Sequence, residues 1–347
     1  MTSTTAPHAV IGAGIAGLAC ARALADAGRD VVVLDKARGP GGRMSSRRLG
    51  ETAIELGAQG FRASHPAFRA EVDAWRRAGV AAPWPAALWR LEDGRPRRRT
   101  DGRPRFTGRP RMSAVTRHLA TGLDLRPGTR VEALRRAAEG WRLVDAAGEV
   151  HGPFATVVLA LPAPQAGRLV APHDPGLAAA CRAVPQRACW AAWARLEAPL
   201  ALPGAEADWP LLELETGPLR RVIRHGSKPG RAARPELLTL LADLDWSERH
   251  LEAAPEAMAD GLLEALAAAL PDVALPRVRA RGAHRWRYAE PAAIPPGEDF
   301  RLGERGLALC GDGWRGARIE DAWLSGHHLG EALCHRPPEP LAEIPRP

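Results

Sequence analysis

Two apolar runs, one ending at Ile11 and one spanning Val31 to Leu34, flank an Ala/Leu-rich stretch whose apolar residues recur with helical spacing to about Gly28. This order predicts a strand, a tight turn, a helix and a parallel strand. The turn carries Gly12-x-Gly14-x-x-Gly17, with Ile15 and Ala16 inside it, and Asp35 closes the second strand. A short first glycine permits the turn, a bare second one lets a diphosphate approach the backbone, and the third lets the helix pack on the sheet. The helix start then faces the anion with its amide groups, and a carboxylate at Asp35 can accept from a ribose diol. The pattern is a βαβ unit with a dinucleotide fingerprint.

Further along, Pro66 to Ala78 places Phe68, Val72 and Trp75 on one helical face. Arg95 to Arg111 is dense in arginine and broken by proline and glycine, which reads as a solvated antiparallel ribbon. Thr129–Leu134, Trp141–Val144 and Ala155–Ala160 read as strands, the middle one entering a hairpin at Ala147-Gly148 and the last a buried parallel strand closed by Leu161-Pro162. Gln186–Leu196, Leu211–Leu214, Leu219–His225 and Leu237–Ala242 read as an antiparallel sheet of a second domain, followed by a helix over Pro255 to Leu270 and a strand over Val278 to Tyr288. A strand ending in Cys310-Gly311-Asp312 precedes a helix from Ile319 to Leu333. The proline-rich end beyond Arg336 is expected to be disordered.

Composition narrows the class. An apolar content of 46% over 347 residues suits a globular enzyme with a sizeable core and room for two domains. The formal net charge is +8, but lysine stands only at Lys36 and Lys228, so the basic side is almost entirely arginine. That is a compositional bias, and without finger spacing or a basic tail no nucleic-acid partner is expected. The five cysteines form no CxxC pair and no metal spacing, so no metal and no disulfide framework are expected. No signal-peptide pattern and no membrane-length apolar run is present, which points to a cytoplasmic protein without a membrane partner.

Arg38-Gly39-Pro40-Gly41-Gly42-Arg43 supplies a second glycine pair and an arginine after Asp35-Lys36. Glycines there allow another close backbone approach, and a guanidinium can clasp a diphosphate. With Glu55-Leu56-Gly57-Ala58-Gln59, Pro110-Arg111-Met112-Ser113, His284-Arg285-Trp286-Arg287-Tyr288 and Cys310-Gly311-Asp312-Gly313, these stretches resemble the FAD-dependent amine oxidase superfamily, and within it the bacterial renalase-like proteins. The resemblance implies an α/β fold: a Rossmann-like FAD-binding domain of amine oxidase or p-hydroxybenzoate hydroxylase-like topology, with a second α+β substrate domain containing an antiparallel sheet. It implies a discontinuous FAD domain over 1–60, 110–175 and 285–336, a substrate domain over 61–109 and 176–284, and a tail over 337–347. It also implies that Gly57, Ala58 and Gln59 pass near the flavin ring, that the Val131 backbone holds the adenine edge, that Asp312 accepts from the ribityl chain, and that the helix start at Arg318 and Ile319 points to the flavin O2 edge.

Renalase-like proteins oxidise misreduced nicotinamide dinucleotides, the 2- or 6-dihydro isomers of NAD(P), and pass electrons to dioxygen. The expected cofactor is FAD, held noncovalently. A dihydropyridine becomes aromatic when it gives up hydride, so no side chain need act as a base, and none stands out. Trp286, Tyr288, His284, Trp190, Trp193 and His225 are the candidates to shape the substrate site. An amine oxidase or small desaturase is the alternative activity, and a flavin-binding protein without turnover is a third.

Overall fold

A computed structural model describes residues 6–335 apart from 51, 86, 100–101 and 206–208. The tail expected over 337–347 lies outside the described residues. The chain divides into two compact units: residues 1–42, 116–186 and 290–347 form the first, and 43–115 with 187–289 the second. Residues 43–60 and 110–115, expected with the dinucleotide-binding part, cluster in the second unit.

The first unit is built on a six-stranded sheet ordered Phe300–Leu302, Leu307–Cys310, Thr156–Leu159, His8–Ile11, Val31–Asp35, Asp124–Pro127. All its pairs are parallel except the outer Phe300–Leu302 with Leu307–Cys310. Thr156–Leu159 is buried along its length, as a continuous Val/Leu run in a parallel sheet must be. A separate three-stranded antiparallel sheet joins Val131–Ala137, Gly140–Asp145 and Val150–Phe154. The sequence pattern merges Leu125 to Arg135 around one strand. The chain instead breaks at Gly128, with φ +75°, into a parallel edge strand and the first strand of this small sheet.

Pro162, expected to close the preceding strand, caps a helix, Ala163–Val170, that carries Pro164 in its first turn. Proline is tolerated in a first helical turn because its missing N–H has no intrahelical acceptor there. The first helix, Ile15–Asp26, and the last, Ile319–His335, lie against each other through small residues. A Cβ on Gly326 would sit 1.9 Å from the Ala16 carbonyl oxygen, and one on Gly330 would sit 2.6 Å from the Ala23 Cβ.

The second unit carries a seven-stranded sheet ordered Val278–Pro291, Gln186–Leu196, Glu236–Ala242, Leu219–Arg224, Leu211–Leu214, Leu88–Glu92, Arg95–Arg99. Of the arginine ribbon expected over Arg95 to Arg111, Arg95–Arg99 forms the largely exposed last strand of the hairpin at the sheet's end, while Phe106–Gly108 pairs with Ala81–Pro83 in a separate sheet. Leu211–Leu214 runs antiparallel to Leu219–Arg224 but parallel to Leu88–Glu92, so the sheet is not antiparallel throughout. Those parallel neighbours come from distant stretches of chain, which no hairpin rule constrains. Pro255–Ala269 packs Met258, Leu262 and Leu266 into a core shared with Trp190, Leu212 and Leu240. No helix among the described residues is long and apolar enough to cross a membrane.

Candidate functional site

The fingerprint of the first unit is shaped to receive an anion. Gly12 turns out of the first strand with φ +109°, and a Cβ there would lie 2.6 Å from the Ala160 carbonyl oxygen. Gly17 is packed as closely on the turn, its would-be Cβ 2.0 Å from the Gly12 oxygen. Gly14 differs: an added Cβ would have no atom within 4 Å. The turn is thus tight on its protein side and open at Gly14. No side chain caps the Ile15–Asp26 helix, and no acidic residue stands in its first turn, so its leading N–H groups are left for a ligand.

Asp35 is oriented before any ligand arrives. Its Oδ2 accepts from the Ala13 N–H at 2.6 Å and its Oδ1 from the Ala37 N–H at 2.7 Å. Each oxygen keeps a lone pair for a hydroxyl. Lys36 beside it is exposed. The Gly41 N–H donates to the Ala13 carbonyl at 2.9 Å, which brings the second glycine pair against the first turn, and the Cβ position of Gly42 is 3.4 Å from the Gly14 Cα. Val131 is half-buried at the start of its antiparallel sheet.

The carboxyl-terminal signature lies in the same unit. Gly311 takes φ +139° and its N–H donates to Ser325 Oγ at 2.8 Å, while nothing lies within 4 Å of its would-be Cβ. Asp312 is buried. Arg318 reaches Asp321 at 2.8 Å through both Nε and a terminal nitrogen, and Glu320 at 3.1 Å. The start of the last helix therefore already carries two carboxylates in its first turn and an arginine bound to them, with Ile319 half-buried between. These geometries fit a dinucleotide cofactor: an open glycine-lined turn, free amides at one helix start and a pre-oriented ribose acceptor.

The second unit holds Arg43, Gly57, Ala58 and Gln59. A terminal Arg43 nitrogen donates to the Ala289 carbonyl at 2.9 Å. The Ala58 N–H donates to the Arg43 carbonyl at 2.8 Å, and Gly57 is so close to that carbonyl that a Cβ would sit 2.1 Å from its oxygen. The Gln59 side chain turns inward: Nε2 donates to the carbonyls of Glu55 and Gly57 at 2.8 and 3.0 Å, and Oε1 accepts from Lys228 Nζ at 2.8 Å.

That lysine belongs to a buried charge network, the main feature of this region that the motif reading does not reach. Glu55 is fully buried. Its oxygens accept from Lys228 Nζ at 3.1 Å, an Arg231 nitrogen at 2.9 Å, the Met112 N–H at 3.1 Å and Ser46 Oγ at 3.2 Å. Burial by itself would raise the Glu55 pKa, but Lys228, His225 and Arg231 outweigh it and hold the carboxyl well below the usual carboxylate range. Burial pulls Lys228 down to about 8, against the attraction of Glu55. One signal was present in the sequence: in a chain whose other basic residues are arginines apart from Lys36, position 228 is a lysine. A compact ammonium fits over the Trp84 ring, 5.4 Å from its centroid, where a guanidinium is larger.

The six candidate substrate-site residues separate. His225 is buried in the charge network, with Nε2 2.8 Å from Thr239 Oγ1 and Nδ1 3.2 Å from Glu55 Oε2. Burial, then Lys228, lowers its pKa to about 4, so it is neutral at ordinary pH. Trp190 lies in the core under the Pro255–Ala269 helix, its Nε1 donating to the His250 carbonyl at 3.0 Å. Trp193 is on the opposite face of the same strand. It packs with Trp286 against Ile54, Leu56 and Trp84, and its buried Nε1 has no acceptor among the described residues. Gly282 makes room for it, since a Cβ there would lie 2.8 Å from that nitrogen. His284 meets Trp286 edge to face at 4.5 Å, and Trp286 Nε1 donates to the Leu56 carbonyl at 2.8 Å. Tyr288 follows, half-buried, on the same strand. Trp193, His284 and Trp286 thus gather at the Ile54 and Leu56 side of the 54–59 segment, His225 meets the same segment at Glu55 within the charge network, and Trp190 lies in a different core.

Asp145, Glu149 and His151 also approach one another at a hairpin turn. Asp145 accepts there from the Ala147 and Glu149 N–H groups and lies 3.0 Å from His151 Nε2, which is the work of closing a turn.

Comparison with known proteins places this architecture. Residues 10–75 match the family model of an NAD(P)-binding Rossmann-like domain, and residues 77–329 match that of flavin-containing amine oxidoreductases. Among solved structures, similar folds include an Exiguobacterium sp. 255-15 protein assigned as a protoporphyrinogen oxidase, with a TM-score of 0.76, 13% identity and coverage of 96% of this chain and 99% of that one. Cyclohexylamine oxidase from Brevibacterium oxydans IH-35A gives a TM-score of 0.73 at 13% identity, covering 95% and 99%. A local match of 47% identity over 58 residues links the chain to the Marinobacter nauticus bifunctional protein of tRNA 5-methylaminomethyl-2-thiouridine biosynthesis. That match spans 17% of this chain and 9% of the relative.

Proposed function

Because this chain belongs to the flavin-containing amine oxidoreductase family, and so is a flavin-dependent oxidoreductase, we propose that it is a renalase-like oxidase. Its reaction would convert 2- or 6-dihydroNAD(P), dioxygen and a proton into NAD(P)+ and hydrogen peroxide. The cofactor would be FAD, bound noncovalently, and when bound it supplies the hydride acceptor. The first turn and the Ile15–Asp26 helix start would hold its diphosphate with Gly41 and Gly42. Asp35 would hold the ribose, the Val131 backbone the adenine, and Asp312 the ribityl chain.

One observation carries the substrate reading. Glu55, Lys228, Arg231 and Gln59, polar groups of the network around the 55–59 segment, are bound to one another, and His225 is held between Glu55 and Thr239. None is left to take a proton from a substrate. Such a surrounding suits a donor that is driven by its own gain of aromaticity, and Trp193, His284 and Trp286 would orient its ring. The Trp193 N–H offers a donor for a carboxamide oxygen. A second reading, oxidation of a small amine, is favoured by the cyclohexylamine oxidase likeness. The two separate in an anaerobic mixing experiment with 6-dihydroNAD, NADH and a panel of amines. Rapid bleaching by the 6-dihydro isomer with NAD+ as product, and none by amines, is the expected result. Bleaching by an amine alone overturns the dinucleotide reading and leaves the family intact.

A further inference from the structure

Gln186 is the last residue of the first unit before the chain enters the second, at the start of the long strand Gln186–Leu196. Its side-chain amide is buried at both ends, and neither Nε2 nor Oε1 has a hydrogen-bond partner among the described residues. A buried amide with both ends unmet costs several hydrogen bonds' worth of desolvation and persists where something outside the fold repays it. Its surroundings indicate what that is. The Nε2 lies 3.8 Å from the position a Cβ on Gly313 would take, and the neighbouring Val184 closes to 2.9 Å of the same point. Val184 and Trp314 share the core of the first unit, which holds this segment firmly on the Gly311–Trp314 turn. On its other side the turn opens at Gly311, where no atom lies within 4 Å of a would-be Cβ.

We propose that Gln186 is a cofactor-binding residue, its amide pairing with a part of FAD that presents a donor and an acceptor together. The inference rests on the reading of this protein as an FAD enzyme. The pairing excludes the diphosphate as sole partner, because phosphate oxygens only accept and would leave Oε1 unmet. Four parts of FAD have the required chemistry; with the adenine edge given to Val131 and its ribose to Asp35, the ribityl hydroxyls and the imide edge of the flavin pyrimidine ring are left. A leucine at this position would fill the same space without the polar atoms. The residue is therefore one whose removal relieves the empty protein and harms the loaded one.

The test compares wild type with Gln186→Leu, stripped of cofactor and titrated separately with FAD and with ADP-ribose, which lacks both the ribityl chain and the flavin. The variant should bind FAD about tenfold or more weakly, the equivalent of one hydrogen-bond pair lost, while ADP-ribose affinity is unchanged. Its cofactor-free form should melt at a higher temperature than cofactor-free wild type. A shifted visible spectrum and midpoint potential in the reloaded variant identify the imide edge as the partner. Weaker binding with an unmoved spectrum identifies the ribityl chain. Unchanged FAD affinity, equal weakening of ADP-ribose, or a lower melting temperature of the empty variant overturns the proposal, the last because it marks a structural role. If wild type itself binds no FAD, the cofactor reading of the whole protein fails, a result distinct from any of these.

Discussion

At the scale of single residues, the chemistry of the second unit is decided by Glu55. A buried carboxylate is tolerable only while its cations are present. Lys228→Met should therefore destabilise the protein by about 3 kcal/mol or more, because it strands the Glu55 charge without its ammonium and leaves Gln59 Oε1 without a donor. Pairing it with Glu55→Gln should return part of the loss, measurable as a non-additive term in a denaturant double-mutant cycle. The tryptophans show what was legible at this scale and what was not. Trp190 and Trp193 are three apart on one strand, so alternation alone puts them on opposite faces and only one can reach a given site. Which face is the core was not readable, because both sides of the strand are apolar: Trp190 packs with Leu240 and Leu262, and Trp193 with Ile54 and Trp286. The role of Glu55 was hidden for a different reason. Its partners Lys228 and Arg231 come from a loop far along the chain, and no spacing rule links them to it.

At the scale of elements, the contact between the first and last helices is the most constrained surface in the first unit. Gly326 lies so near the Ala16 carbonyl that any side chain must push the helices apart. Gly326→Ala should cost about 2 kcal/mol or more as overpacking, and because Ala16 follows the Gly14 turn it should also weaken cofactor retention. Parallel measurements of the unfolding midpoint and of flavin content after gel filtration check both. Gly28→Ala, at the exposed end of the same helix with open space around its Cβ, serves as the comparison. Its strain from φ +73° affects stability but leaves the flavin content of the folded fraction unchanged. The elements themselves were largely legible where periodicity ran long: the first βαβ unit, the Pro255–Ala269 helix and the Ile319–His335 helix stand where the apolar spacing predicts them. Short elements escaped. Ala163–Val170 hid behind its prolines, and Leu244–Arg249, capped by Asp243 accepting from the Trp246 N–H at 2.8 Å, is too brief for a pattern to emerge.

At the scale of the whole molecule, stability should fall on acidification over a window set by His225. In the folded protein its pKa is about 4, against an ordinary 6.5. As pH drops through 6.5 the unfolded chain takes up this proton and the folded one does not, so unfolding gains until both are protonated below 4. The loss is on the order of 3 kcal/mol at most. Glu55 acts in the same direction and lower: its folded pKa is depressed, so the stability it contributes is present above the ordinary carboxylate range and lost as pH falls through and below it. His225→Asn should flatten the upper part of the profile, between pH 6.5 and about 4.5, and leave the steeper fall below. Urea midpoints measured across that range test it.

What the sequence determined by itself was local and repetitive. The Gly12-x-Gly14-x-x-Gly17 turn with Asp35 after it, the Gly41-Gly42 pair and the buried Thr156–Leu159 strand all rest on neighbours within one supersecondary unit, where glycine geometry and apolar period are sufficient causes. The matching family also follows from stretches of that kind, whereas the expected domain bounds put residues 43–60 and 110–115 with the other unit. Tertiary structure alone decided which charges are spent and which polar atoms are left over. Arg318 is committed to Asp321, Gln59 to Lys228 and His225 to Thr239, while the Gln186 amide and the Trp193 N–H have no protein partner among the described residues. The physical reason is that hydrogen bonds and desolvation are settled by distance in space. Residues as far apart as Glu55 and Lys228 acquire their chemistry only when the fold brings them within 3.1 Å and excludes water from both.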